Sequence, residues 1–291
     1  MRRWAAAVAA LVLIFAVTNG VPAAPASEAK LAVAKDQEPP GWVRATVSIV
    51  VDGIARSYLV DRPAGRAAAT LPVLVELHGC CTTPAAELQR AGFPAVTGPA
   101  ILVYPAGYRQ HWNAGACCGG TEVDDVKFVT EVVEQVLARQ PGADASRVYL
   151  VGYSNGGRMA YRMACDRPSL FAGVAVFGAV NAMACPHPAP VSLLVAAGTA
   201  DPDLTTSPGG VRHSVAGYLE PTVDEQVAQY RRADGCRADP STTIAGDLIS
   251  LRWTGCSSGA TVQLSWYIGG THTWPRGLAG VMWTFLARLH R

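Results

Sequence analysis

The stretch Tyr149-Leu-Val-Gly-Tyr-Ser-Asn-Gly-Gly157 constrains this chain more than any other. It sets Gly152-x-Ser154-x-Gly156 after an apolar run that reads as a buried strand. Arg158-Met-Ala-Tyr-Arg-Met-Ala164, which reads as a helix, follows directly. A strand that turns this sharply into a helix needs glycine on both flanks, because a Cβ there clashes across the turn. Such a turn holds Ser154 in a strained conformation, points its hydroxyl into a cleft, and leaves the Asn155 N–H at a helix N-terminus, where an oxyanion can bind. In a chain with 29 glycines the pentapeptide alone is weak; the strand before it and the helix after it give it weight. A glycine-rich turn that only packs a helix closely on a sheet is the plainer alternative.

The rest of the chain supplies a matching frame. Thr46–Val51 and Arg56–Val60 read as an antiparallel pair turning at Asp52-Gly53. Buried strands are expected at Leu71–Leu77, Ile101–Tyr104, Arg147–Val151, Val174–Phe177 and Val191–Val195, with further strands near Leu248–Trp253 and Val262–Ile268. Helices are expected at Asp124–Arg139, Thr222–Arg232 and Leu278–Leu289. Glu76, inside the first buried strand, has no explanation in the pattern. Strands alternating with helices predict an α/β fold, a mostly parallel central sheet with helices on both faces. Ligands of such sheets bind outside the carboxyl ends of the strands, where the turn at Ser154 lies.

A serine hydroxyl is a poor nucleophile at neutral pH, so it needs a histidine to take its proton and a carboxylate to orient that histidine. In this kind of fold they follow the serine in the order acid, then histidine. Of the histidines after Ser154, His187 sits in a rigid Cys-Pro-His-Pro turn, His213 in a loop, and His290 at the penultimate position. His272, in Gly269-Gly-Thr-His-Thr-Trp-Pro275 directly after a strand, is the favoured base, with a surface-loop histidine as the bland reading. Asp201 lies just past a buried strand and is the favoured acid; Asp203, two residues on, is its rival. For the oxyanion hole the candidates are the N–H groups of Asn155 and of Cys80, in His78-Gly79-Cys80-Cys81, with Cys81 second. His78 reads as structural, and Asp124 and Asp125 as residues that cap a helix and orient loops. Trp112 and Trp274 are candidate substrate-binding residues, an aromatic wall whose alternative is ordinary packing.

The N-terminus is set apart from the fold. Met1-Arg2-Arg3, an apolar stretch from Trp4 to Val17 and Ala24-Pro25-Ala26 predict a signal peptide over 1–26. Residues 27–40 read as a flexible leader and 41–291 as a single catalytic domain, secreted, with no membrane span after cleavage and monomeric. The eight cysteines of an exported chain predict disulfides. Cys165 and Cys185 bracket one loop and Cys236 and Cys256 another, while the doublets Cys80-Cys81 and Cys117-Cys118 are most simply bridged to each other. Adjacent cysteines lack metal-ligand spacing, so no metal is expected, and the chemistry calls for no cofactor. A net charge of +2 with no basic run argues against nucleic acid.

Taken together, His78-Gly-Cys80, Trp112-Asn-Ala-Gly-Ala-Cys-Cys-Gly119, Val123-Asp-Asp-Val126, Gly152-Tyr-Ser-Asn-Gly-Gly157 and Gly270-Thr-His-Thr-Trp-Pro275 resemble the poly(3-hydroxybutyrate) depolymerase-like and feruloyl esterase family of secreted esterases. The resemblance runs in order from about residue 43 to the C-terminus. It implies an α/β-hydrolase fold and a triad of Ser154, Asp201 and His272. The family's His-Gly-x-x-Asp is here Ala197-Gly198-Thr-Ala-Asp201, and its Val-Pro is replaced in Pro202-Asp203-Leu204, which puts the local loop and the substrate pocket at issue. The expectation is a secreted serine carboxylic ester hydrolase acting on feruloyl or acetyl polysaccharide esters or short hydroxyalkanoate esters. A poly(3-hydroxybutyrate) depolymerase proper, an acyltransferase and a non-catalytic cell-wall binding protein on a hydrolase scaffold are the other readings.

Overall fold

In the computed structural model, residues 41–291 are described, apart from 66–69, 116, 119–121, 207–209 and 238. The expected signal peptide and leader lie outside the described residues. The chain opens with a hairpin of β1 (Trp42–Val51) and β2 (Ile54–Pro63), whose register places Val51 opposite Ile54 around the Asp52-Gly53 turn. Next come β3 (Leu71–Leu77), α1 (Pro84–Ala91), β4 (Ile101–Pro105), α2 (Asp125–Arg139), β5 (Ala143–Tyr153) and α3 (Asn155–Asp166). These are followed by β6 (Gly173–Phe177), β7 (Leu193–Gly198), a two-residue pair β8 (Ser214–Val215) and β9 (Tyr218–Leu219), and α4 (Val223–Asp234). The chain closes with β10 (Ser241–Ala245), β11 (Leu248–Trp253), β12 (Val262–Tyr267) and α5 (Leu278–Leu286).

Ten strands form one sheet in the order β1-β2-β4-β3-β5-β6-β7-β12-β11-β10. The six central strands, β4 to β12 in that order, are parallel, and an antiparallel pair closes each side. The central strands are apolar on both faces because helices cover both. One face packs Phe128 and Val132 of α2, Met159 and Met163 of α3 and Val227 of α4. The other packs Leu88 of α1 and Met282 and Phe285 of α5. Each fully buried side chain of this size contributes about 1.5–3 kcal/mol. Local signals agree with the elements: Thr83 caps α1 ahead of Pro84, and Thr222 and Glu225 cap α4 reciprocally. No helix among the described residues is long and apolar enough to cross a membrane.

Cys165 pairs with Cys185 and Cys236 with Cys256, as the spacing suggests. The doublets depart from the expected cross-bridge: Cys80 pairs with Cys81 and Cys117 with Cys118. Cys81 and Cys118 both take left-handed backbone conformations, φ 64° and 75°. The doublets are also held by different partners, Cys81 N–H by Gln110 O (2.9 Å) and Cys118 Sγ by Arg158 (3.7 Å).

Glu76, unexplained in the sequence, points into the α1 face of the sheet and is fully buried beside Glu87. Burial, then the neighbouring Glu87 carboxylate, pushes its carboxyl well above the usual range.

Candidate active site

Ser154 stands where β5 meets α3, with φ 54° and ψ −121°. That conformation is costly for any residue with a Cβ, and its neighbours hold it in place. The Ser154 N–H donates to Phe177 O at 3.0 Å. A Cβ on Gly152 would lie 2.3 Å from Gly156 O, and one on Gly156 would lie 2.1 Å from Leu77 O. The two glycines are therefore required by the close approach of α3 to β3 and β5.

The Ser154 hydroxyl lies 2.8 Å from Nε2 of His272. Nδ1 of His272 lies 2.9 Å from Asp201 Oδ2 and 3.1 Å from Oδ1. The consistent assignment has Nδ1–H donating to the carboxylate and Nε2 accepting from the serine. His272 is the one histidine hydrogen-bonded to Ser154 among the described residues. Asp201 and Asp203 are also told apart. The Asp201 side chain is 0 % exposed and faces Nδ1, whereas that of Asp203 is 61 % exposed, with an oxygen 3.5 Å from Nε2. The Asp203 N–H donates to Asp201 Oδ1 at 2.9 Å, which helps to fix the orientation of the Asp201 carboxylate.

Two backbone N–H groups are the oxyanion candidates. Asn155 directly follows the serine as the first residue of α3, and N–H groups of the first helical turn have no intrahelical acceptor. Cys80 follows β3 and Gly79, on which a Cβ would lie 3.5 Å from the Ser154 Cβ; Cys81 spends its N–H on Gln110 O, while no acceptor among the described residues takes that of Cys80. His78 fixes the loop that carries Cys80. Its Nδ1–H donates to Gly79 O (2.7 Å) and its Nε2 accepts from Gly107 N–H (2.9 Å). Burial lowers its pKa to about 4, so it stays neutral and keeps both bonds.

Trp112 does not form a wall of the cleft. It is fully buried, stacks on Phe128, and donates its indole N–H to His78 O at 2.9 Å. A buried indole needs such an acceptor, and the one available lies beneath the loop rather than in the cleft. Its backbone brackets the Asn155 side chain: Trp112 N–H donates to Oδ1 (2.8 Å) and Asn155 Nδ2 donates to Trp112 O (3.2 Å). Asn113 is tied in turn to Asp125, which accepts its N–H at 2.7 Å and that of Arg56 at 2.7 Å. Asp124 caps α2 through Lys127 N–H. The two aspartates thus cap a helix and hold the loop, as their place in the sequence suggests. Trp274, two residues past His272, is half-buried and edge-on to Tyr153 and Phe177.

Three further residues bear on the site without any motif to announce them. Tyr153 donates its hydroxyl to His272 O at 2.6 Å. Arg158 of α3 pairs with buried Glu220 at 2.7 Å. That pair ties the stretch ahead of α4 to the helix that begins beside Ser154. Arg90, in a helix with no counterpart among the expected elements, lies over the rings of Tyr153 (4.1 Å) and Trp274 (4.5 Å).

Residues 56–205 match the model of the esterase PHB depolymerase family. NocK of Nocardia uniformis subsp. tsuyamanensis, named as an esterase, is 31 % identical over 88 % of this chain and 83 % of its own. Poly(3-hydroxyalkanoate) depolymerase C of Paucimonas lemoignei is 33 % identical over 37 % of this chain and 27 % of its own. Feruloyl esterase B of Neurospora crassa is 32 % identical over 43 % of this chain and 44 % of its own. Among solved structures, the acetyl xylan esterase from Aspergillus awamori superposes with a TM-score of 0.62 at 16 % identity, over 82 % of this chain and 98 % of that one. The feruloyl esterase module from Clostridium thermocellum gives 0.57 at 12 % identity, over 86 % and 89 %. At such identities these two speak for the α/β-hydrolase fold.

Proposed function

The chain belongs to the esterase PHB depolymerase family and is a carboxylic ester hydrolase, and from that premise we propose that it works through a Ser154–His272–Asp201 triad. The observation that carries this reading is the unbroken hydrogen-bond path from the Ser154 hydroxyl through both nitrogens of His272 to buried Asp201. His272 takes the serine proton as Ser154 Oγ attacks the ester carbonyl. The N–H groups of Asn155 and Cys80 hold the oxyanion of the tetrahedral intermediate. As that intermediate collapses, His272 gives the proton to the departing alcohol and an acyl-enzyme is left on Ser154. Water, deprotonated by His272, then attacks the acyl carbonyl, and the acid and free Ser154 are released.

The substrates proposed are feruloyl or acetyl esters of polysaccharides and short hydroxyalkanoate esters. The family match, and relatives named as feruloyl esterases and as a poly(3-hydroxyalkanoate) depolymerase, support that range. Contact with the acyl group is assigned to Trp274, a half-buried aromatic side chain two residues past His272. The protein is proposed to be exported, with four disulfides and an N-terminal signal peptide over 1–26. Hydrolysis of p-nitrophenyl acetate, methyl ferulate, acetyl-xylan and hydroxybutyrate oligomers, read as released acid, tests the reading. Turnover of at least one of these is expected from the wild type and not from Ser154→Ala. Equal turnover by a folded Ser154→Ala protein would overturn it.

A further inference from the structure

In a triad the histidine is the part most easily misplaced, because it must meet two partners at once and here it rides on a loop. His272 follows Gly269-Gly270-Thr271, and β12 ends at Tyr267. Its side chain is fixed by Ser154 and Asp201, but its backbone needs a separate hold. The geometry points to Tyr153, braced by Arg90, as the residue that positions His272. This inference rests on the triad reading given above.

Tyr153 is the last residue of β5 and the immediate neighbour of the nucleophile. Its hydroxyl donates to the carbonyl of His272 at 2.6 Å, joining the strand that carries the serine to the loop that carries the base. Burial raises the phenol above its ordinary pKa, which favours the protonated, donating form. The ring has little freedom. It stacks on Phe177 with centroids 5.8 Å apart and planes 16° apart, and it lies 5.4 Å from the His272 ring. Gly79 passes so close that a Cβ there would lie 2.8 Å from the Tyr153 ring, which places the phenol under the oxyanion loop.

Arg90 closes the arrangement from α1. Its guanidinium lies 4.1 Å from the Tyr153 ring centroid and 4.5 Å from that of Trp274, so one cation holds residues on both sides of His272. It is oriented by a two-point pairing with Glu87, itself buried beside Glu76. Glu76 of the first buried strand is therefore at the root of a chain of contacts that ends on the catalytic loop. Tyr153 and Arg90 act through His272 and not on the substrate.

The test is Tyr153→Phe, which removes one oxygen and keeps the ring, with Arg90→Met as a second variant that leaves the phenol untouched. Loss of registration of a reacting group by about 1 Å costs on the order of 100-fold in rate. In Tyr153→Phe we expect kcat to fall by about 10- to 100-fold, with KM within about twofold of wild type. The downfield proton resonance of the His272–Asp201 hydrogen bond should broaden or shift in both variants. Unchanged kcat and an unchanged resonance in either folded variant would overturn the inference. Should Tyr153→Phe fail to fold, the same two readouts on Arg90→Met decide the matter. Labelling of the wild type by a fluorophosphonate keeps the two readings apart. No adduct on wild-type Ser154 refutes the triad, whereas equal labelling rates in wild type and Tyr153→Phe refute only the positioning role.

Discussion

Asn155→Ala separates the two parts assigned to one residue. Its backbone N–H is the proposed oxyanion donor, and its side chain is hydrogen-bonded to the loop that carries Trp112. Alanine keeps the first and deletes the second. Both residues are buried, so after the substitution the Trp112 N–H loses its 2.8 Å acceptor, while the Trp112 C=O gives up the 3.2 Å bond and keeps the Ala114 N–H at 2.9 Å. A buried backbone group left unpaired costs about 1–3 kcal/mol, so the one orphaned N–H amounts to about 2 kcal/mol. For a domain of this size that corresponds to a fall in Tm of about 4–8 °C. Thermal unfolding followed by circular dichroism reads this directly. The oxyanion donor survives, so kcat should fall by less than the 100- to 1,000-fold that accompanies loss of such a donor. A Tm change under about 2 °C would show that the side chain is no clamp. A loss of kcat as large as that of Ser154→Ala, in a folded protein, would show that it takes part in the chemistry.

Further substitutions test other links. Asp201→Asn should lower kcat by about 10,000-fold, while Asp203→Asn, which touches a mostly exposed carboxylate, should stay within about tenfold; a reversed order in steady-state assays would transfer the acid's role to Asp203. Burial pushes the Asp234 carboxyl up to about 7. Because the folded state then holds a proton that the unfolded chain releases near pH 4, its contribution to stability is full below about pH 4 and gone once the pH has passed about 7. Denaturant unfolding of Asp234→Asn, whose amide oxygen can still accept the Val191 N–H, should therefore show a gain over wild type at pH 8 that vanishes at pH 4, of up to about 4 kcal/mol. Replacing Cys165 and Cys185 by alanine opens a loop with a sequence separation of 20 and should cost about 3 kcal/mol, read as a lower denaturation midpoint; an unchanged midpoint would mean that the bridge is absent in the protein.

The sequence carries the parts of this site that local chemistry dictates. The elbow is legible because a Cβ on Gly152 or Gly156 would lie only 2.3 or 2.1 Å from a backbone oxygen, and His272 and Asp201 because each follows a recognisable strand. The central strands are legible because burial on both faces leaves apolar runs. The rest depends on contacts between distant segments. Trp112 has the composition of a ligand platform, but its indole finds an acceptor beneath the His78 loop. The doublets are most simply bridged to each other on paper, whereas each pairs within itself in the structure, next to a left-handed residue that the sequence does not announce. Helix α1 has a readable start in Thr83-Pro84, but its 8 residues are too few for an apolar stripe to stand out, and Arg90 and the surroundings of Glu76 are hidden with it. Tyr153 occupies a variable position of the pentapeptide, so no pattern could assign it a partner 119 residues away.

The central claim is that Ser154 is an activated nucleophile. Incubation of the purified protein with a fluorophosphonate, followed by peptide mapping in the mass spectrometer, tests it most directly, because only a serine whose proton is taken by a neighbouring base reacts readily. The account predicts one covalent adduct, on Ser154, that disappears in Ser154→Ala and is strongly slowed in His272→Ala. Absence of an adduct on folded wild-type protein, or an adduct on another serine with esterase activity retained in Ser154→Ala, would contradict it.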